Sequence, residues 1–194
     1  MVNMNTLIYL HGFNSDPASH KAQVMGREMA ARGLGASFRC PKLPYTPADA
    51  IAVAEAEIAR AIGQITLVGS SLGGFYATWL AEKHDLNAVL LNPAVRPQQR
   101  LERYLGAQKN IFSGEAYELT HEHIEQWRAI DIEPARPQRF LLIVETGDEV
   151  LDYRFAVQKY AGAEQIVVEG GDHSVQSFPV HIPRILQFAG FAAL

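Results

Sequence analysis

The chain has 194 residues, of which 48% are hydrophobic and 20% are charged, and its formal net charge at pH 7 is −4. This length fits one domain, and the composition is that of a globular protein rather than a disordered or fibrous one. The negative charge argues against nucleic acid or an anionic membrane surface as the main partner. We therefore expect a single domain over residues 1–194.

The N-terminus and the cysteine content bear on the cellular compartment. Residues 1–10 lack the basic and long apolar regions of a secretory signal, and no apolar run approaches the roughly 20 residues that span a bilayer. Cys40 is the only cysteine, so no internal disulfide can form. Because Cys40 ends an apolar run, a small buried side chain is favoured over a catalytic thiol. We expect a soluble, cytoplasmic protein.

Six short apolar runs alternate with helix-like segments along the chain. Several carry apolar residues at consecutive positions, as do parallel strands that are covered on both faces. The predicted strands are Thr6–Leu10, Ala36–Arg39, Ile65–Val68, Ala88–Leu91, Phe140–Glu145 and Gln165–Val168. This alternation predicts an α/β fold, with a mostly parallel sheet of about six strands flanked by helices.

Capping residues predict several helix boundaries. Thr46 and Pro47 indicate a helix start, with the threonine as the cap and the proline at the first helical position. Asp152 is expected to cap a helix that runs to Tyr160, and Pro183 is expected in the first turn of the last helix.

One long segment breaks this alternation. Residues 93–138 show no strand signal, contain several prolines and are too many for a simple loop. We predict that they form one or more helices, which make a small cap over the sheet.

A nucleophile is predicted at the sequence Gly69-Ser70-Ser71-Leu72-Gly73, which follows an apolar strand. G-x-S-x-G forms a sharp strand-to-helix turn that exposes a serine in α/β-hydrolases. Side chains two residues before and after that serine would collide, so glycine is needed at both positions. Gly69 and Gly73 meet this need for Ser71, whereas Ser70 would have Val and Leu there. We predict Ser71.

The acid and the histidine follow the serine along the chain in this class of enzyme. Asp148 follows the predicted strand Phe140–Glu145, one residue past a turn glycine. Glu149 and Asp152 are the competitors, but Glu149 would point elsewhere on the same turn and Asp152 is the predicted helix cap. Asp148 is therefore favoured as the acid.

Two histidines lie after Asp148, namely His173 and His181. His173 follows the last predicted strand and two glycines, in what we expect to be a flexible, exposed loop that presents its imidazole. His181 lies near Pro183 at the predicted helix start, where a structural role is favoured. We predict that His173 is the base.

An oxyanion hole needs two backbone N–H donors. The residue after the nucleophile, Leu72, supplies one. The loop after the first strand, Thr6–Leu10, supplies the other, with Phe13 as the natural donor and Asn14 as the alternative. His11 is expected to order this loop by hydrogen bonding rather than to do chemistry.

The same motifs resemble the YqiA-like esterases, small bacterial proteins of the α/β-hydrolase superfamily. The resemblance covers nearly the whole chain in the same order, through Leu10–Ser15, Gly69–Trp79, Asn92–Pro97, Thr146–Arg154 and Glu169–His173. It implies an esterase with a triad of Ser71, Asp148 and His173. Asp172 is a departure, since asparagine is usual there.

These features together predict hydrolysis of small-molecule carboxylic esters through an acyl-enzyme, without a cofactor. Because the cap is short, we expect an open site and short acyl chains. A thioesterase acting on acyl-CoA, or an acyltransferase, would use the same triad. A catalytically silent binding module on the same fold is an alternative of another class.

Two weaker signals favour structural explanations. His121 and His123 are two residues apart on a helix, so their side chains point to different faces, and no third ligand stands at metal spacing. Arg96, Arg100 and Arg103 fall near one helical face. A solvated face is favoured there over contact with an anionic substrate.

Overall fold

The structure, a computed structural model, describes residues 5–191. Within them, the strands are β1 (Thr6–Leu10), β2 (Phe38–Arg39), β3 (Ile65–Ser70), β4 (Asn87–Leu91), β5 (Gly106–Lys109), β6 (Ala116–Leu119), β7 (Phe140–Glu145) and β8 (Glu164–Val168). Six of them form one sheet in the order β2-β1-β3-β4-β7-β8, and every neighbouring pair is parallel. The parallel α/β fold and the six strands are confirmed, but the second strand begins at Phe38 rather than Ala36, because Gly35–Ser37 form a 3-10 turn.

Helices cover both faces of this sheet. In the described part of the chain they are α1 (His20–Ala31), α2 (Pro47–Arg60), α3 (Leu72–His84), α4 (Pro97–Leu101), α5 (His121–Ala129), α6 (Tyr153–Lys159) and α7 (Phe178–Phe188). Helices α1 and α7 pack on one face, and α2, α3 and α6 pack on the other. None of the helices between residues 5 and 191 is long and apolar enough to cross a bilayer.

Burial on both faces explains the unbroken apolar runs of the strands. In β1, Leu7 and Tyr9 belong to the core beneath α1 and α7, whereas Ile8 and Leu10 belong to the core beneath α2 and α3. All four side chains are buried. Because successive strand residues point to opposite faces, a strand between two helix layers is apolar at every position.

The predicted helix starts are partly right. Helix α2 begins at Pro47 as predicted, but the Thr46 hydroxyl hydrogen bonds to the Asp49 carboxylate and caps no backbone N–H. Asp152 does cap α6, because its carboxylate accepts the backbone N–H of Arg154 at 3.0 Å.

The prediction for the last helix is wrong, because Pro183 lies inside α7 rather than in its first turn, where Pro179 stands instead. A proline within a helix costs about 3 kcal/mol. Each fully buried large apolar side chain contributes roughly 1.5–3 kcal/mol in return. The helix therefore continues through Pro183 because it buries four such residues, namely Phe178, Ile182, Ile185 and Leu186.

The prediction of helices alone for residues 93–138 is also wrong. Helices α4 and α5 are present, but β5 and β6 form an antiparallel hairpin between them. The side chains of β6 alternate in the usual way, with Tyr117 and Leu119 buried and Glu118 exposed. The cap is therefore a hairpin flanked by two short helices.

Aromatic side chains fasten the cap to the rest of the protein. The Trp127 indole in α5 is fully buried and donates a 2.8 Å hydrogen bond to the Tyr76 hydroxyl of α3. The Tyr117 hydroxyl of the hairpin donates to Asn14 Oδ1 at 2.6 Å, and its ring stacks on Tyr45 at 4.2 Å between centroids. The hairpin is thereby joined to the loop that follows β1.

The strand order determines where that loop lies. The chain passes from β1 to β2 on one side and returns to β3 on the other side of β1. In open α/β sheets, ligands bind at the carboxyl ends of the strands where the order reverses in this way. The loop after β1 and the turn after β3 meet at that point.

Candidate active site

Ser71 occupies a strained turn between β3 and α3. Its backbone has φ 54° and ψ −119°, and positive φ is unfavourable for a residue that carries a side chain. Hydrogen bonds hold this conformation, because Ser71 N donates to Leu91 O and Ser71 O accepts from Ala94 N, each at 3.0 Å. Ser71 lines an open cavity, whereas the neighbouring Ser70 is buried.

The glycines on either side of this turn lie against other backbone segments. A Cβ atom at Gly69 would come within 2.3 Å of Gly73 O, and one at Gly73 would come within 2.0 Å of Leu10 O. The turn, β1 and the first turn of α3 therefore pack backbone to backbone. The G-x-S-x-G motif therefore requires glycine at these two positions because no side chain would fit there.

We expect Gly73→Ala to lower the free energy of unfolding by about 3 kcal/mol, because β1 and the turn must separate to admit the methyl group. Urea denaturation followed by circular dichroism measures this change. Gly35→Ala is the control, since a Cβ there meets its nearest neighbour at 3.7 Å. Equal stability of the two variants would contradict the close packing.

The structure brings Ser71, His173 and Asp148 into one chain of hydrogen bonds. Ser71 Oγ lies 3.0 Å from His173 Nε2, and His173 Nδ1 lies 2.8 Å from Asp148 Oδ2. The Asp148 side chain is 1% exposed, and its Oδ1 accepts the backbone N–H groups of Val150 and Leu151 at 2.8 and 2.7 Å. Both carboxylate oxygens are therefore fixed in place.

The competing residues take other positions. Glu149 accepts the backbone N–H of His173 at 3.0 Å and so contacts the loop rather than the imidazole. Asp152 caps α6 and pairs with Arg154. His181 lies in α7, with an Nε2 atom that is buried without a hydrogen-bond partner in the described structure.

The loop that carries His173 is joined by hydrogen bonds to a buried carboxylate. Glu145, at the end of β7, is 1% exposed, and its carboxylate accepts the backbone N–H groups of Asp172, Gln176 and Ser177 and the Ser177 hydroxyl. Burial alone would raise the pKa of Glu145, but these hydrogen bonds outweigh it and hold the pKa below its usual value.

Two glycines allow this loop to adopt its backbone conformation and to pack closely against Glu145. Gly170 and Gly171 have φ of 78° and 69°, which a side chain would disfavour. A Cβ atom at Gly171 would also lie 1.8 Å from Glu145 Oε2. Glycine therefore lets the loop close over the buried carboxylate.

Asn92 connects the same loop to two strands. It is buried, its Oδ1 accepts the Glu145 N–H at 2.9 Å, and its Nδ2 donates to Asp172 O at 3.0 Å. Neither Asn92 nor Glu145 was predicted as a site residue. An acid that closes an otherwise apolar strand could have drawn attention to Glu145, because a buried charge needs partners.

The two residues predicted to form the oxyanion hole, Leu72 and Phe13, both line the cavity beside Ser71. Leu72 begins α3, so its N–H has no acceptor within the helix and lies at the positive end of the helix dipole. Phe13 lines the same cavity from the loop after β1. The alternative, Asn14, has φ 52°, and its side chain accepts the hydrogen bond from Tyr117.

His11 and Cys40 favour their uncharged forms. His11 Nε2 accepts the Leu43 N–H at 3.0 Å and Nδ1 donates to Gly12 O at 3.1 Å, so the ring orders the loop as expected. Burial lowers the pKa of His11. Burial also raises the pKa of the Cys40 thiol to about 12, which fits a structural side chain rather than a nucleophile.

Of the two histidines in the first turn of α5, His123 caps the N-terminus of the helix. His123 Nδ1 accepts the Thr120 N–H at 3.0 Å, as in a capping box. Between residues 5 and 191, no group of three or more His, Cys, Asp or Glu side chains is arranged to hold a metal ion.

Ser71 and His173 border two cavities. One has a volume of about 380 Å³, lies beneath the cap and has a largely apolar wall. The other has a volume of about 420 Å³, and its wall includes Lys21 and Glu149. Ser71 therefore borders open space in two directions.

Comparison with known proteins agrees with this architecture. The model of the uncharacterised protein family UPF0227 matches residues 6–190. Est1E from Butyrivibrio proteoclasticus has a TM-score of 0.71 at 14% identity, over 96% of this chain and 87% of that chain. Mouse alpha/beta hydrolase domain-containing protein 10 has a TM-score of 0.71 at 16% identity, over 95% and 89%.

A third solved structure comes from work on the metagenome-derived lipolytic enzymes LipS and LipT. It has a TM-score of 0.69 at 18% identity, and the match covers 97% of this chain and 95% of that chain. At such low identities these likenesses establish the fold alone. The family model spans nearly the whole chain, so the protein belongs to UPF0227, the YqiA family, and has the fold of the α/β-hydrolase superfamily.

Proposed function

We propose that this protein is a serine esterase that hydrolyses small carboxylic esters through an acyl-enzyme. The observation that carries the proposal is the chain of hydrogen bonds from Ser71 through His173 to Asp148 at the wall of a cavity. The description of similarly folded proteins as esterases or lipolytic enzymes supports the same reaction class.

Acylation begins when Ser71 Oγ attacks the ester carbonyl carbon and its proton passes to His173 Nε2. The Asp148 carboxylate accepts the Nδ1–H and stabilises the imidazolium that forms. The carbonyl oxygen becomes an oxyanion, which the N–H groups of Leu72 and Phe13 bind. The carbon–oxygen bond of the ester then breaks, and His173 gives its proton to the departing alcohol.

Deacylation repeats these transfers with water in place of the serine. His173 removes a proton from the water as it attacks the acyl carbon, and the same N–H groups bind the second oxyanion. The bond to Ser71 Oγ breaks, the proton returns to Ser71, and the carboxylic acid leaves. Because Asp148 is held by two backbone N–H groups, the imidazole keeps one orientation through both halves.

A fluorophosphonate probe and 4-nitrophenyl butyrate together test this proposal. We expect the protein to be labelled and to hydrolyse the ester, and we expect Ser71→Ala to abolish labelling and lower kcat at least about 1000-fold. Ser70→Ala is the matched control and should retain both, because that side chain is buried.

Labelling that persists in Ser71→Ala would refute Ser71 as the nucleophile. If the unaltered protein showed neither labelling nor hydrolysis, a silent binding module would be the better explanation.

A further inference from the structure

The cavity beneath the cap combines an apolar wall with positive charge. Its apolar lining includes Phe13, Val95, Leu101, Tyr104, Val150 and Leu151. The charged residues that line it are Arg100 and Arg103, and none of its lining residues is acidic. This positive charge is local, because the chain as a whole has a net charge of −4.

Arg100 is the more informative of the two arginines. It lies in α4, is half-buried, and makes no hydrogen bond or ion pair with the part of the chain that the structure describes. All the other half-buried arginines of that part pair with a carboxylate: Arg32, Arg39, Arg136, Arg139 and Arg184. Partial removal of a guanidinium from water is unfavourable unless a partner compensates it.

The surroundings of Arg100 leave this position open to a ligand. Glu133 and Asp152 line an adjoining cavity that Arg100 also borders, yet neither lies within 4.0 Å of its guanidinium. Arg103 is exposed at the rim, where its guanidinium lies 5.0 Å from the centre of the Tyr104 ring. Two positive groups therefore line the cavity that contains Ser71.

We propose that the natural ester carries a carboxylate, which the guanidinium of Arg100 binds while the adjoining part of the substrate fills the apolar cavity. This inference rests on the proposed esterase function and names its substrate class. A planar guanidinium can donate two parallel hydrogen bonds to the two oxygens of a carboxylate. The carboxylate belongs to either the acid half or the alcohol half of the ester.

Two matched pairs of substrates distinguish these halves. The first pair is 4-nitrophenyl hydrogen adipate and the corresponding primary amide, which differ only at the far end of the acyl chain. The second pair is 4-carboxyphenyl butyrate and 4-carbamoylphenyl butyrate, which differ only in the alcohol half. The measured quantity is the ratio of kcat/KM for the carboxylate to kcat/KM for the amide, in the unaltered protein, in Arg100→Gln and in Arg27→Gln.

We expect this ratio to be about 10 to 100 in one of the two pairs, because hydrogen bonds to charged groups are the strong ones. Arg100→Gln should bring that ratio down about 10-fold or more, and added salt should lower it in the unaltered protein. Arg27→Gln should leave the ratio unchanged. This substitution removes the same charge, but Arg27 is exposed on α1 and does not line the cavity.

Ratios near one in both pairs, or a ratio that survives Arg100→Gln, would overturn the inference. These outcomes differ from failure of the proposed function, in which no ester of either pair would be hydrolysed. A ratio that falls equally in Arg27→Gln would also overturn it, since long-range charge rather than Arg100 would then be responsible.

Discussion

Asp148→Asn should lower kcat by about 10,000-fold while the protein stays folded. Oδ1 of Asp148 accepts two backbone N–H groups, so in the variant the amide oxygen must remain there. The amide NH₂ then replaces Oδ2 and donates to His173 Nδ1. That nitrogen becomes an acceptor, the proton moves to Nε2, and Nε2 can no longer take the proton of Ser71.

Steady-state hydrolysis of 4-nitrophenyl butyrate and the rate of fluorophosphonate labelling measure this loss. Asp152→Asn is the control and should keep kcat within about twofold, because its carboxylate caps α6 and pairs with Arg154 instead. If kcat fell more in Asp152→Asn than in Asp148→Asn, our proposal would have named the wrong residue as the acid.

The residues brought together at the site come from segments whose sequence patterns are strong. Ser71 and Asp148 follow β3 and β7, whose residues are almost all buried because helices cover both faces of these strands. His173 follows the edge strand β8, which is more exposed but ends in three consecutive apolar residues, Ile166, Val167 and Val168. The carboxyl ends of parallel strands share one edge of the sheet. The positions of the strands in the sequence therefore predicted that these three side chains lie close together, although they could not predict the individual contacts.

The cap was harder to predict because its pattern is weak. Strand β5, Gly106–Lys109, contains no β-branched or aromatic residue, and β6 has only four residues. The hairpin is stabilised instead by contacts with residues distant in sequence. The Tyr117 hydroxyl donates a hydrogen bond to Asn14, and the Tyr117 ring stacks on Tyr45. A short strand fixed by such contacts leaves little signal in its own residues.

The role of Glu145 could not be predicted from the apolar pattern of its strand. Glu145 ends β7 as the only charged residue of that strand, and its role depends on four donors that lie 27 to 32 residues later in the chain. The sequence gives no spacing rule for such a network. The network compensates for the unfavourable backbone of this loop, which has positive φ at Gly170, Gly171 and Val175.

Glu145→Gln should therefore lower kcat about 100-fold by displacing the loop that carries His173, since displacements of about 1 Å have effects of that size. In the carboxylate, one oxygen accepts the N–H groups of Asp172 and Gln176, and the other accepts from Ser177. Either orientation of the amide directs an NH₂ group at a backbone donor. Glu169→Gln is the control, because that side chain is exposed on the same loop.

The pH dependence of stability separates this role from general loss of packing. The pKa of Glu145 is below its usual value in the folded protein, so its stabilisation is present above the unfolded-state pKa of about 4.3 and is lost as the pH falls through the folded-state pKa. The difference in unfolding free energy between the unaltered protein and Glu145→Gln should therefore shrink as the pH is lowered below about 4.3. Urea denaturation from pH 7 to pH 3 measures it. A difference independent of pH, together with an unchanged kcat, would show that the Glu145 charge does not hold the His173 loop.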